Sequence, residues 1–89
     1  GKAGERMAGI EPSAKRAIRI NGRVRIPDEL TQTTLKEVKN VKCISNTLQL
    51  RDFADYAKIT GRTLELWVRP TTKIAKTVID AGWNIRYLW

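Results

Sequence analysis

The 89-residue chain contains no histidine and only one cysteine, Cys43. These two absences exclude an internal disulfide framework and any zinc centre built from Cys and His ligands. A metal ion must then be held by oxygen donors, which suits magnesium- or manganese-like ions. With no histidine to activate it, Cys43 reads as a small packing or loop residue rather than a nucleophile. No stretch approaches the roughly 20 apolar residues of a membrane span. The opening residues are charged and lack the apolar run of a signal peptide. Methionine occurs once, internally at Met7, and the chain opens on Gly1. A piece released from a longer polypeptide is the expectation. Repeats, low-complexity segments and Pro/Ser-rich linkers are missing as well, and 42% hydrophobic residues suit one small globular domain spanning residues 1–89.

Acidic residues are scarce relative to basic ones. Seventeen Lys and Arg against nine Asp and Glu give a formal charge of +8. Such a field selects an anionic partner: a phosphate polymer, an acidic protein or an anionic membrane surface. The basic residues are distributed along the chain, so this is not a charged tail on a neutral domain.

Hydropathy patterning predicts an α/β fold with a mixed sheet flanked by helices, in the order α-β-β-β-α-β-α-β. "KAGERMAGI" (2–10) fits the end of a helix. "RAIRINGRVRI" alternates basic and apolar residues around Asn21-Gly22, a dipeptide suited to a type I′ hairpin turn. Ile18, Ile20, Val24 and Ile26 are expected in the core, with Arg19, Arg23 and Arg25 outward. "TLKEVKNV" forms a third strand with Leu35, Glu37 and Lys39 on one face. "NTLQLRDFADYAKITG" forms a helix capped by Ser45 or Asn46 and stopped at Gly61, burying Leu50, Phe53, Ala54 and Ala57. "TLELWVRP" forms a strand with Leu64, Leu66 and Val68 inward. "TTKIAKTVIDAG" reads as a second helix, capped by Thr71 or Thr72, and "WNIRYLW" as a last strand.

The segment "RIPDELTQTTLKEVKNV" carries the chemistry. Cleaving a phosphodiester with a hard metal ion needs converging carboxylates and a group that orients the attacking water. Asp28 and Glu37 supply carboxylates from adjacent strand ends. The Val38 carbonyl is a further candidate donor, and Glu5 a candidate from the first helix. Lys39 lies two residues past Glu37 on the same face. The plain alternative is a Pro-Asp turn followed by a solvated, charged strand. Roughly one acidic-x-Lys triplet is expected by chance in such a composition, so only its combination with Pro-Asp on the preceding strand is informative. Two other readings remain at this level: a non-catalytic nucleic-acid-binding module, and a basic domain that docks on an acidic protein. Arg16, Arg19, Arg23 and Arg25 form a basic stripe that suits either a nucleic-acid track or solubilisation. Trp67, Trp83 and Trp89 suit base stacking or, more simply, sheet–helix packing.

"GRVRIPD…LKEVKNV" resembles the PD-(D/E)xK motif of the restriction-endonuclease-like nucleases. Together with "GERMAGI", "TLQLRDFADYAKITGR" and "LWVRPTTKI", it resembles a restriction-endonuclease-fold toxin domain from the C-termini of bacterial polymorphic toxins of the contact-dependent or Rhs type. The resemblance runs in order over nearly the whole chain. It implies a restriction-endonuclease-like core and an Mg2+- (or Mn2+-) dependent endonuclease, with DNA favoured over RNA such as transfer RNA. It also implies Asp28 and Glu37 as metal ligands, Lys39 as the catalytic lysine and Glu5 as an outer acidic ligand. Gln49 matches a polar site position, whereas the aromatic four residues later is Phe53 rather than Tyr. Arg23, Arg25 and Arg69 are the expected backbone contacts. A cognate acidic immunity protein follows as partner, with secretion on a larger toxin and action in the target-cell cytoplasm.

Overall fold

The structure, a computed structural model, describes residues 15–88. The expected first helix, Glu5 and Trp89 lie outside the described residues. Two strands, β1 (Ile18–Ile20) and β2 (Arg23–Arg25), form an antiparallel hairpin. Strands β3 (Glu29–Leu30) and β4 (Thr34–Val38) follow, then β5 (Cys43–Ile44). Helix α1 (Leu48–Thr60) leads to β6 (Thr63–Val68) and β7 (Lys73–Ile74). Helix α2 (Lys76–Asp80) and β8 (Trp83–Tyr87) complete the chain.

The main sheet has the order β3-β4-β6-β8, with β3 antiparallel to β4 and the β4-β6-β8 part parallel. It is mixed, as the patterning predicts. Helix α1 covers one face, where Leu50, Phe53 and Ala57 pack with Leu35, Leu64, Leu66, Val68, Val78 and Trp83. The period-2 alternation of β6 is reproduced, since Leu64, Leu66 and Val68 are all buried. On the other face, Val38 and Leu88 pack with Trp67, and the Lys36 ammonium stands 5.3 Å from the Trp67 ring. Trp83 thus fills the core, and Trp67 lies on the face away from α1. Among the described residues, no helix is long and apolar enough to cross a membrane.

The hairpin turn forms at Asn21-Gly22, both at positive φ (53° and 76°), as a type I′ turn requires. Its second strand has the opposite phase to the one expected. Val24 and Ile26 are each 58% exposed, whereas Arg23 and Arg25 share a face with Ile18 and Ile20. The cause is the two-residue turn, which makes Ile20 and Arg23 cross-strand partners and so places them on the same side. Arg23 and Arg25 therefore turn toward α1. Arg23 donates two hydrogen bonds to Asp52, at 2.8 and 2.7 Å, and Arg25 donates a third at 2.9 Å. Asn21 joins by donating to both Asp52 and Asp55. Asp52 is fully buried, and these donors hold its carboxyl well below the usual carboxylate range, the Arg23 bonds contributing most.

Helix α1 is capped by Thr47, whose hydroxyl accepts from the Leu50 N–H, and not by Ser45 or Asn46. Gly61 closes it in the left-handed region at φ 72°. The expected second helix is shorter than its pattern. Lys73 and Ile74 instead form β7, parallel to β5, and only Lys76–Asp80 is helical, with Ala75 at the cap position. The pairing gives Lys73 and Ala75 N–H groups carbonyl partners at Lys42 and Ile44, which a helix start would have left unsatisfied.

Candidate active site

The β3–β4 register pairs Glu29 with Lys36 and Leu30 with Leu35. Continued by one step, it sets Asp28 directly opposite Glu37. The two residues are joined through each other's backbone: the Asp28 N–H donates to Glu37 Oε1 at 2.8 Å, and the Val38 N–H donates to Asp28 Oδ2 at 2.8 Å. Pro27 is fully buried just before them, fixing where the carboxylate leaves the strand.

Like charges directly opposite on neighbouring strands are destabilising. Here one of the pair is also desolvated, since Glu37 is 3% exposed. Burial first, and the Asp28 charge second, push the Glu37 carboxyl up to about 7. Lys39 partly offsets this with its ammonium 3.6 Å from Glu37 Oε2. The same ammonium donates to Gln49 Oε1 at 2.9 Å, from the first turn of α1. Lys15 approaches Asp28 Oδ1 at 3.7 Å. Asp28, Glu37, Lys39 and Gln49 thus converge at the C-terminal end of β4.

Among the described residues, no set of three or more His, Cys, Asp and Glu side chains gathers for a metal ion. The donors available are the Asp28 and Glu37 carboxylates and the Val38 carbonyl, all hard oxygens. Two facing carboxylates, one pushed up by burial and then by the other's charge, are a donor set that a divalent cation would relieve. In that respect the residues fit a magnesium-like ion.

The remaining expected contacts are distributed unevenly. Arg69 follows β6 and donates through Nε to Asn40 Oδ1, beside the end of β4. Lys39 is tied there too, its N–H donating to the Trp67 carbonyl at 2.9 Å. Arg23 and Arg25 are engaged by Asp52 on the helix side of the hairpin rather than displayed outward. Phe53 is wholly buried against the sheet. Asp52 escaped sequence reasoning because an acidic residue on a helix reads as solvated. Its spacing from Leu50 and Phe53 places it off the apolar stripe, and it is buried by Asn21, Arg23 and Arg25 of the hairpin, which no helical period marks.

A family model described as restriction endonuclease fold toxin 7 (Tox-REase-7) matches residues 1–78. No curated protein and no solved structure matches the chain. With the mixed sheet and the Asp28–Glu37–Lys39 convergence, that match over most of the length makes the chain a member of the restriction endonuclease fold toxin 7 family.

Proposed function

We propose that the protein is a metal-dependent nuclease toxin that hydrolyses phosphodiester bonds of nucleic acid. The observation that carries this reading is the placement of Asp28 opposite Glu37, with Lys39 bridging Glu37 to Gln49. A fold needs no such like-charge pair. Asp28, Glu37 and the Val38 carbonyl would hold a magnesium or manganese ion, with Glu5 as a further candidate ligand. When bound, such an ion supplies positive charge to the phosphate oxygens and makes a nearby water more acidic.

The chain's own residues do the rest. Glu37, whose carboxyl burial and Asp28 push up, would give up its proton to a cation held beside it. Asp28 and Glu37 keep their oxygens in fixed positions through the two backbone hydrogen bonds. Lys39 orients the attacking water and offsets charge that builds on the phosphate. Gln49 holds the lysine at the angle this requires. Arg69 supports the polymer backbone without reading sequence. DNA is the first substrate to try, on the analogy of the fold. As a toxin of charge +8, the domain calls for an acidic immunity protein in the producing cell, delivery at the C-terminus of a larger secreted protein, and action in the target cytoplasm.

The test is cleavage of supercoiled plasmid and of total transfer RNA, with magnesium or with chelator, beside Glu37→Gln. Metal-dependent loss of either substrate, absent in the variant, supports the proposal. Binding of both without cleavage of either would overturn it and leave a basic binding module.

A further inference from the structure

A cleft of about 190 Å³ opens beside Lys39 and Gln49, between β5 and the first turn of α1. Its walls include Val41, Ile44 and Leu50, and Cys43 lines it as an exposed residue. We propose that the substrate presents an unpaired nucleotide here, and that its base enters this cleft while the adjoining phosphate lies at Lys39. The inference builds on the nuclease reading, and the experiment below separates the two.

Size, chemistry and position all favour it. At about 30 Å³ per liquid water, the cleft has the room of roughly six waters, which suits one pyrimidine or purine ring. Val41, Ile44 and Leu50 in the lining give a ring apolar contact, and Lys39, Ser45, Thr47 and Gln49 in the same lining carry hydrogen-bonding groups. Gln49 uses Oε1 to accept from Lys39. Its amide nitrogen makes no hydrogen bond among the described residues, which leaves a donor for a ring carbonyl or ring nitrogen. A base stacked within a duplex has no free face to offer such a recess. Only a single strand, a loop or a flipped nucleotide can fill it. Among the described residues, the tryptophans do not compete for this role, since Trp83 is buried and Trp67 packs on the far face of the sheet.

Cys43 provides the probe, because it is the only cysteine in the chain. The full chain is treated with Ellman's reagent, whose disulfide the Cys43 thiolate attacks, releasing one thionitrobenzoate and leaving the other on the sulfur. Metal is omitted, so nothing is cut. Hairpin oligonucleotides with an unpaired loop, in RNA and DNA versions, are compared with blunt duplexes of the same sequence. At ten times its Kd, a hairpin should slow the labelling about tenfold, and the duplexes should not. Protein already labelled should bind hairpins more weakly and recover with dithiothreitol, while Cys43→Ser should be indifferent to the reagent. Whichever of RNA and DNA protects better identifies the sugar preferred. Duplexes that protect as well as hairpins, or labelled protein that binds hairpins undiminished, would overturn the inference. Hairpin protection without cleavage of any arm on adding magnesium would keep the base cleft and sink the nuclease reading. Magnesium-dependent cleavage of duplex without hairpin protection would do the reverse.

Discussion

Lys39 is held from two sides: Gln49 Oε1 accepts its ammonium at 2.9 Å, and Glu37 Oε2 lies 3.6 Å away. A flexible lysine thereby acquires one position over the end of β4. Gln49 acts as a positioning residue, and Gln49→Leu should lower kcat by about 10–100-fold, as loss of an orienting partner usually does. Gln49→Glu, which keeps an acceptor for the ammonium but loses the amide donor, should recover part of the rate. Steady-state cleavage by the two variants checks this, since a purely structural role would depress both.

Lys39→Ala removes the charge itself. By comparison with the loss of a single transition-state donor, turnover should fall about 100- to 1,000-fold. Salt-dependent binding, measured by titrating labelled oligonucleotide, should weaken only slightly, because many other basic residues supply it.

Glu37 links the site to stability. Its carboxyl sits at about 7 in the fold against an ordinary value of 4.5. A group raised on folding contributes fully below its unfolded value and loses that contribution as pH climbs through the folded one. The metal-free protein should therefore lose stability between pH 5 and pH 8, by an amount on the order of 2–3 kcal/mol. Glu37→Gln should flatten this decline, and magnesium should restore the melting temperature at pH 8. Thermal melts across that pH range, with and without the ion, provide the check.

Asp52 should behave in the opposite sense. Its carboxyl is depressed by Arg23, Asn21 and Arg25, so its contribution is present above the ordinary value of 3.8 and lost as pH falls below it. Asp52→Ala should loosen the β1–β2 hairpin from α1 while leaving the Asp28–Glu37 pair in place. Amide exchange read residue by residue should rise first over 18–25.

Phe53 is fully buried in the layer between α1 and the sheet. Truncation to Ala should cost about 3–5 kcal/mol, a large share of what a domain of this size possesses. Urea denaturation followed by tryptophan fluorescence would measure it.

Much of this arrangement was legible in the chain. The alternation in "TLELWV", the Asn-Gly turn and the helix closing at Gly61 are local signals, and each formed as its periodicity predicts. The phase of Arg23 and Arg25 was also local in principle, since a two-residue turn obliges Ile20 and Arg23 to share a face. The basic-apolar alternation on both arms obscured it. The β5–β7 pair was not legible, because two-residue strands leave no period and Lys73-Ile74 also suits a helix. Of the candidate site, "IPD" and "EVK" predict two carboxylates from adjacent segments, and the β3–β4 register sets Asp28 opposite Glu37. The bond between Lys39 and Gln49 depends on how α1 lies across the sheet, which no spacing encodes. Glu5 lies outside the described residues.

The paired hydrogen bonds between Asp28, Glu37 and Val38 bear on how such sites can diversify. They clamp the strands at the level of the carboxylates, whereas the Thr31–Thr34 tip is closed by Thr31 N–H to the Thr34 carbonyl and tied to Arg62 and Thr63. The tip can lengthen or shorten without disturbing the clamp, provided both arms change in step and keep their alternation. The nine-residue interval between the two acids is therefore incidental. A distant homologue with a longer hairpin would keep the same chemistry under a different count, and a search that fixes the interval would pass over it.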